Sequence, residues 1–176
     1  MPSTRERIQA LQSELSGLRK RLLEDGADRT ASLPATVSLL LITCGEMGIA
    51  IDALSLVEVL PRVALESQAE PLSGSIGVMR YRGTLVPVID LFERLGSPSA
   101  LPLLAQRIIV VNGDDGLRGL LVDETLDVVT MRRIDLISLV LDSTIGQFGL
   151  ASAQVGERAF TVLNLKALLT EVPDVR

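Results

Sequence analysis

Aspartates at the ends of apolar runs are the side chains of this sequence whose type and position first suggest chemistry. Asp52, Asp90 and Asp123 each follow a run of aliphatic residues typical of a β-strand. Carboxylates placed in this way could serve a small carboxylate-dependent enzyme built on a β-barrel. An aspartate that ends a strand more often caps a following helical turn by accepting its backbone N–H groups. We therefore expect structural roles, and an enzyme that depends on Asp90 and Asp123 is the alternative.

Histidine is absent from the sequence, and cysteine occurs once, at Cys44. Without histidine the chain has no phosphoacceptor histidine, no Ser-His-Asp triad and none of the usual zinc sites. A single cysteine forms no disulfide within the chain. Cys44 lies in an apolar run, which predicts a small buried hydrophobic residue. We expect a protein that is not an enzyme and that needs neither a metal nor another cofactor.

Glycines and acidic residues near position 115 resemble ligand-binding loops only superficially. Gly113, Gly116 and Gly119 have the spacing G-x-x-G-x-x-G. This spacing matches neither a phosphate-binding Walker loop nor a dinucleotide fingerprint. Asp114 and Asp115 lack the bidentate glutamate that a calcium loop places further along the chain. The segment is therefore predicted to be the turn of an antiparallel hairpin.

Composition narrows the class of protein further. Of the 176 residues 47% are hydrophobic and 22% are charged, which favours a folded chain of one domain or two small coupled subdomains. A net charge of −5 and only four aromatic residues oppose nucleic-acid binding. No apolar run approaches the roughly 18 residues of a membrane span, so we expect no direct membrane insertion. The lone cysteine and the lack of a signal-peptide pattern favour a cytoplasmic protein.

The N-terminal residues 1–25 are predicted to form an amphipathic helix. Ser3 and Glu6 have the spacing of a capping box, and aliphatic residues follow at alternating steps of three and four. This apolar stripe must be buried on the protein's own body, in self-association or on a partner helix. Residues 26–35 (GADRTASLPA) have the composition of a linker. The stripe consists of Ile8, Leu11, Leu15, Leu18 and Leu22.

The remaining chain contains an internal repeat. Residues 48–52 (GIAID) recur as residues 119–123 (GLLVD), and residues 89–91 (IDL) recur as residues 163–165 (LNL). The body is thus predicted to have two related halves, at about 36–96 and 107–170. Each half is expected to run strand, strand, short helix or irregular segment, strand, turn, strand and helical turn. Short strands with close turns favour small β-barrels over a parallel sheet.

Residues 77–96 (GVMRYRGTLVPVIDLFERLG) form the most distinctive stretch of the sequence. Two apolar runs flank Arg82-Gly83, which predicts a tight hairpin turn in which Gly83 supplies a positive φ. Pro87 cannot donate a ladder hydrogen bond, so it predicts an edge strand or a bulge. Asp90 ends this run, and a short helix is expected to follow and to stop at Gly96.

The pattern G-V-x-x-x-R-G-x-x-V-P-V-I-D-L, followed by a short helix ending in R-L-G, resembles the core of CheW-type coupling domains. The resemblance covers roughly residues 36–170. It implies a mainly β body of two five-stranded, SH3-like barrels behind the N-terminal α-helix. It also implies a non-enzymatic adaptor in chemotaxis signal transduction that couples the cytoplasmic tips of chemoreceptors to a CheA-type histidine kinase. Arg80 and Tyr81 stand where the family usually has Asn-Leu.

The same resemblance implies where partners bind. It places the receptor in a groove between the barrels and the kinase on the barrel ends, and it maps receptor-facing positions onto residues 52–59 and 122–129. Thr125 departs from the aliphatic residue preferred there. Arg82 is also open to a structural role, as a turn arginine in a salt bridge with Glu58 or Asp90. The receptor-binding residues implied in this way are Ala53, Leu56, Glu58, Thr125 and Val128. Arg82 is added as a candidate because a charge at the rim of an aliphatic groove would orient an amphipathic receptor helix.

The departure at Arg80 and Tyr81 motivates a second hypothesis for function. An auxiliary protein with this fold would occupy sites in the signalling array without activating the kinase. Either role would place the protein in the cytoplasm, next to arrays of membrane-bound receptors. Self-association through the N-terminal helix is a further possible interaction.

Overall fold

A computed structural model describes residues 35–67, 74–96, 105–138 and 147–170, together with Gly17. The backbone of Gly17 is helical. The rest of the predicted N-terminal helix and the linker before Ala35 lie outside the described residues, so both remain predictions.

β-Strands dominate the described residues, in agreement with the predicted fold class. Two short helices, α1 (Leu91–Leu95) and α2 (Leu165–Leu169), each follow a strand directly. Single 3-10 turns span Ala53–Ser55 and Arg133–Asp135. The strands are β1 (Thr36–Cys44), β2 (Met47–Asp52), β3 (Leu56–Pro61), β4 (Ser75–Tyr81), β5 (Thr84–Asp90), β6 (Arg107–Gly113), β7 (Gly116–Val122), β8 (Glu124–Arg132), β9 (Ile137–Ser138), β10 (Gly149–Val155) and β11 (Arg158–Leu163).

The strands form two sheets of matching design. One has six strands in the order β8-β1-β2-β11-β10-β9, and the other has five in the order β3-β6-β7-β5-β4. Each sheet contains one parallel pair, β2 with β11 and β5 with β7, while its other neighbours are antiparallel. Apart from the two-residue strand β9, the sheets therefore have the same order and the same directions.

The strands are exchanged between the two halves of the sequence repeat. β1 and β2 of the first half share a sheet with β8, β10 and β11 of the second, whereas β3, β4 and β5 share the other sheet with β6 and β7. Neither sheet is thus a contiguous half of the chain, so the predicted division at residues 96 and 107 does not separate the sheets. A repeat in sequence preserves the order of the elements, but long-range pairing decides which elements share a sheet.

The segment after β2 differs from the short helix or irregular segment expected there. Only Ala53–Ser55 form a 3-10 turn, and β3 begins at Leu56. β3 pairs with β6 along its length, from Leu56 opposite Val111 to Pro61 opposite Arg107. Tertiary pairing of this kind overrides weak local propensity in a segment of mixed composition.

The strand-terminal aspartates divide into two kinds. Asp90 caps α1 by accepting hydrogen bonds from the backbone N–H of Phe92 at 2.8 Å and of Glu93 at 3.4 Å. Asp52 likewise accepts from Leu54 N–H at 2.9 Å in the first 3-10 turn. These two contacts confirm the expected capping role.

Asp123 does not have the expected role as a helix cap. β8 begins at the next residue, Glu124, so no helical turn follows Asp123 for it to cap. Its Oδ2 instead accepts a hydrogen bond from the backbone N–H of Gly45 at 2.8 Å. Asp123 is almost fully buried, and it fastens the turn between β1 and β2 to the end of β7.

Pro87 occupies a strand that is interior rather than at an edge, because β5 lies between β7 and β4. The edge-strand expectation is therefore wrong for β5 as a whole. The physical reason for that expectation still applies at Pro87 itself. Pro87 pairs with Val78 of β4, whereas the pairing of β5 with β7 begins only at Val88. The proline stands just before the second ladder starts, where its missing N–H is tolerated.

Strands β1 and β2 are buried on both faces and join two cores. Leu40 and Ile42 belong to a large core shared with the five-stranded sheet and both helices. Leu39 and Leu41, which alternate with them, belong to a smaller core formed with β10 and β11. Cys44 is fully buried in the larger core, which confirms its predicted role as a small hydrophobic residue.

Candidate functional site

A cluster of three polar side chains marks one end of the five-stranded sheet. Arg82 Nη2 lies 2.9 Å from Glu58 Oε2. The hydroxyl of Tyr81 donates to the same oxygen at 2.5 Å. The guanidinium carbon of Arg82 also lies over the Tyr81 ring, 5.1 Å from its centroid. We call Glu58, Tyr81 and Arg82 the Glu58 cluster.

The Glu58 cluster joins the two opposite edges of its sheet. Glu58 is on β3 and Tyr81 on β4, the first and last strands of the five-stranded order. The chain that continues from β3 reaches β4 as well, where Glu66 and Val78 exchange two backbone hydrogen bonds of 2.8 and 2.9 Å. The sheet is therefore curled enough for side chains of its first and last strands to contact each other at this cluster.

A bulge in β3 directs the side chain of Glu58 away from the core. Leu56 pairs with Val111 and Glu58 with Val110, so Val57 is the extra residue on β3. In a regular strand, residues two apart share one face, but a bulge breaks this alternation. Leu56 is consequently buried, whereas the Glu58 side chain is 21% exposed.

The hairpin turn between β4 and β5 presents Arg82. Its backbone φ is +48° and that of Gly83 is +83°, so both central residues of the turn are left-handed, as a type I′ turn requires. Arg82 has the only positive φ among the described non-glycine residues. The predicted Arg-Gly turn and the positive φ of Gly83 are thus confirmed, and Arg82 shares the left-handed conformation, which is unusual for a residue with a side chain.

The charges of the cluster are unequally available to a partner. The Arg82 side chain is 73% exposed, whereas Glu58 is largely covered. An exposed ion pair of this kind contributes about 0–1 kcal/mol to folding. The ion pair therefore does little for stability, but it holds one cation in a defined position above an aromatic ring. Arg80, on the same strand, has Nη2 3.8 Å from Glu66 Oε1.

A second polar site lies where α2 approaches the β6–β7 turn. A cavity of about 390 Å³ is lined there by Asp114, Asp115, Arg118 and Lys166, among other residues. Lys166 Nζ lies 3.0 Å from Asp114 Oδ2. The predicted hairpin turn is confirmed by the pairing of Gly113 with Gly116, and Asp114 forms an ion pair with the ammonium group of Lys166. In the described part of the chain, no three Cys, His, Asp or Glu side chains are grouped so that they could hold a metal ion.

One protein family matches most of the chain. The family model described as CheW-like domain matches residues 38–172, most of the chain. The chain belongs to the CheW-like domain family. Its members are non-enzymatic signalling scaffolds. In this chain Asp90 caps a helix, and Asp123 accepts a hydrogen bond from the turn at Gly45, so both aspartates have structural roles.

Two curated relatives carry the CheW name. The chain is 32% identical over 98 residues to a probable chemotaxis protein CheW of Rhizobium etli, an alignment covering 54% of this chain and 63% of that protein. It is 36% identical over 61 residues to the chemotaxis protein CheW of Rhizobium meliloti, covering 35% of this chain and 39% of that protein. The matched regions thus span less than two thirds of either relative.

The fold of a solved CheW structure is also matched. The crystal structure of the scaffolding protein TtCheW from Thermoanaerobacter tengcongensis superimposes with a TM-score of 0.68 at 22% identity. The match covers 78% of this chain and 97% of TtCheW. Together with the mainly β architecture, this confirms the predicted fold class. No helix among the described residues is long and apolar enough to cross a membrane.

Positions implied by the CheW resemblance fall into two groups. The structure brings Glu58 and Arg82 together, and it leaves their contact exposed on one side. The other four residues have at most 9% of their surface exposed, so in the free chain they support this surface from below. Their assignment to receptor binding stays a prediction. The buried residues are Ala53, Leu56, Thr125 and Val128.

Two residues were missed among the CheW-type positions. Tyr81 completes the Glu58 cluster, and its signal in the sequence was the departure from the usual leucine. Leu54 is 46% exposed between the buried Ala53 and Leu56. The sequence pattern could not predict this exposure, because all three residues are apolar. Exposure depends on the 3-10 turn and the β3 bulge, which only the structure reveals.

Proposed function

We propose that this chain is a chemotaxis coupling protein that binds the cytoplasmic tip of a chemoreceptor and a CheA-type histidine kinase. Membership of the CheW-like family supports a scaffold role. The Glu58 cluster is the observation that supports a receptor site, because it presents Arg82 in a fixed position on the hairpin that also carries the exposed aliphatic residue Leu85.

A receptor tip is a suitable ligand for such a surface. An amphipathic helix lays its apolar face on aliphatic side chains and places charges at the rim. Arg82 would meet an acidic rim residue of the receptor helix and would set orientation and association rate more than total affinity. The buried Leu56 and Val128 would hold the surface in shape. The protein would act at the cytoplasmic face of membrane-bound receptor arrays.

The test is a pull-down of the purified chain with a receptor signalling fragment and with a CheA-type kinase. Arg82→Glu reverses the exposed charge, and we expect it to weaken receptor binding while leaving kinase binding intact. Arg158→Glu is the matched control, because Arg158 is also exposed and its guanidinium lies 5.5 Å from the Phe160 ring centroid. Equal losses from both variants, or no binding of either partner by the native chain, would refute the receptor site.

An auxiliary role remains the second candidate. Arg80 and Tyr81 replace the usual Asn-Leu, and both are engaged, Arg80 near Glu66 and Tyr81 with Glu58. A surface altered in this way favours a protein that occupies array sites without activating the kinase. Stimulation of kinase activity by stoichiometric amounts of the chain, in the presence of receptor, separates the two roles. Full stimulation would remove the auxiliary role.

A further inference from the structure

An apolar groove opens at one end of the six-stranded sheet. Its volume is about 330 Å³, and it lies between β1, β10 and the chain that follows β8. Aliphatic side chains make up most of its wall, in contrast to the polar cavity beside Lys166. The residues that matter for the argument are Val37, Leu39, Leu136, Leu150, Ala151 and Val162.

The most exposed apolar side chains of the described chain either line this groove or are sequence neighbours of residues that line it. Ile134 is 85% exposed, Ile137 65% and Leu150 55%. Ile137 pairs with Ser152 across β9 and β10, two residues from Leu150, so these side chains project from neighbouring strands. Large apolar side chains grouped in this way mark an interaction surface. We call Ile134, Ile137 and Leu150, with the groove behind them, the β9 patch.

The N-terminal part of the chain arrives beside the β9 patch. The backbone C=O of Ala35 accepts a hydrogen bond from Arg133 N–H at 2.8 Å, next to Ile134. Val37, two residues further on, lines the groove itself. The ten linker residues 26–35 extend to about 35 Å at most, so whatever precedes them is held close to this surface.

The segment before the linker has the complementary chemistry. Residues 3–24 predict a helix about 33 Å long with one stripe of five aliphatic residues. A helix with only three heptads is too short to form a stable coiled coil readily by itself, so its stripe requires a surface. We propose that this helix docks its aliphatic stripe on the β9 patch of the same chain. The proposal goes beyond the coupling function and does not depend on it.

Tethering favours the chain's own helix over a second copy. A short flexible linker gives an effective local concentration in the millimolar range, whereas a second copy competes at its solution concentration. Docking within one chain is therefore expected to be independent of protein concentration. Docking between copies, or on a partner, would appear as a concentration-dependent or partner-dependent contact.

Disulfide trapping in the full-length chain tests the proposal. One cysteine replaces a stripe residue, Leu11, Leu15 or Leu18 in turn, and a second replaces Ile137 at the patch. The native Cys44 is fully buried and stays in place. We expect at least one pair to oxidise to an intramolecular disulfide, several-fold faster than matched controls and at a rate that does not change on dilution. Non-reducing gels and peptide mass spectrometry provide the readout.

Two controls make the cross-linking result specific. Ser16→Cys moves the helical thiol off the stripe, and Val63→Cys moves the second thiol to an exposed aliphatic residue elsewhere, since Val63 is 43% exposed. Equal yields from either control would overturn the proposal. Disulfide-linked dimers in place of monomers would overturn it in favour of self-association.

A second measurement does not rely on oxidation. Leu15→Glu with Leu18→Glu should release the helix, and we expect hydrogen exchange at residues 134–138 and 149–152 to rise several-fold. Ser13→Glu with Ser16→Glu places the same charges off the stripe and should leave this exchange unchanged. An unchanged rate in the stripe variant would contradict docking. Receptor and kinase binding can be followed separately, so failure here leaves the coupling function to be judged by the Arg82 experiment.

Discussion

The hydroxyl of Tyr81 donates to Glu58 Oε2 at 2.5 Å across the two edges of a five-stranded sheet. The same carboxylate oxygen lies 2.9 Å from Arg82 Nη2. One buried ring thus supports both members of an ion pair, by a hydrogen bond to the acid and by its face to the base. Tyr81 is therefore a positioning residue for the surface that we assign to the receptor.

Replacement of Tyr81 by Phe tests this relationship. The ring and its contact with Arg82 remain, but the hydrogen bond to a charged acceptor is lost, which we expect to reduce the free energy of unfolding by about 1.5–3 kcal/mol. Urea denaturation measures the loss. A double-mutant cycle with Glu58→Ala, which removes the acceptor, should show coupling between the two positions, and strictly additive effects would argue against the bond.

Variants of the Arg82-Gly83 turn should distinguish effects on stability from effects on receptor binding. Gly83 has a φ of +83°, and an added Cβ would meet no atom within 4 Å, so Gly83→Ala should destabilise through backbone conformation alone, by about 1–2 kcal/mol. Arg82→Gly removes an unfavourable φ and a weak ion pair together, so its net effect on stability should be small. In thermal melting, Gly83→Ala should therefore lose more stability than Arg82→Gly. In the receptor pull-down, Arg82→Gly should lose more binding than Gly83→Ala. A large loss of stability in Arg82→Gly would mean that the cluster is structural.

The repeated glycines of β2 and β7 are predicted to be needed for close packing. An added Cβ at Gly119 would lie 3.0 Å from Val88 Cγ2 and 3.1 Å from Ile108 Cγ2. At Gly48 it would lie 2.8 Å from the carbonyl oxygen of Ala159. Gly119→Ala should reduce stability by about 1–3 kcal/mol through overpacking. We expect Gly48→Ala to cost more, because backbone yields less readily than a side chain, and chemical denaturation of both variants would check this order.

Cys44 gives the protein a predicted sensitivity to alkaline pH. Burial, reinforced by the nearby charges of Asp123 and then Asp90, raises the pKa of the thiol from 9.0 to about 12. The unfolded chain therefore releases this proton at lower pH than the folded chain. The stability contributed by the protonated thiol should be complete below pH 9 and should be lost as the pH rises towards 12.

Denaturation midpoints measured between pH 8 and pH 11 test the Cys44 prediction. The native chain should lose more stability over this range than Cys44→Ala, which lacks the titrating group. Parallel pH profiles in the two proteins would contradict the prediction. The native thiol should also react only slowly with a thiol reagent at pH 8, and unfolding in urea should restore fast reaction.

Local features of the fold were predictable from the sequence. The turn at Arg82-Gly83, the cap at Asp90, the stop at Gly96 and the burial of Cys44 each depend on a few adjacent residues. The long G-V-x-x-x-R-G-x-x-V-P-V-I-D-L pattern likewise sufficed for the family and the mainly β class. Such features follow from short-range sterics and hydrogen bonding, which a sequence records directly.

Tertiary structure decided the rest. The exchange of strands between sequence halves, the interior position of β5 and the use of Asp123 to hold Gly45 all depend on long-range pairing. The β3 bulge then separated the fully buried Leu56 from the partly exposed Glu58, although the two residues are two apart in the sequence. Alternation predicts a face only where the register is regular. The sequence by itself determined most of the strands and the local turns, whereas long-range packing determined strand β3 and which side chains a partner can reach.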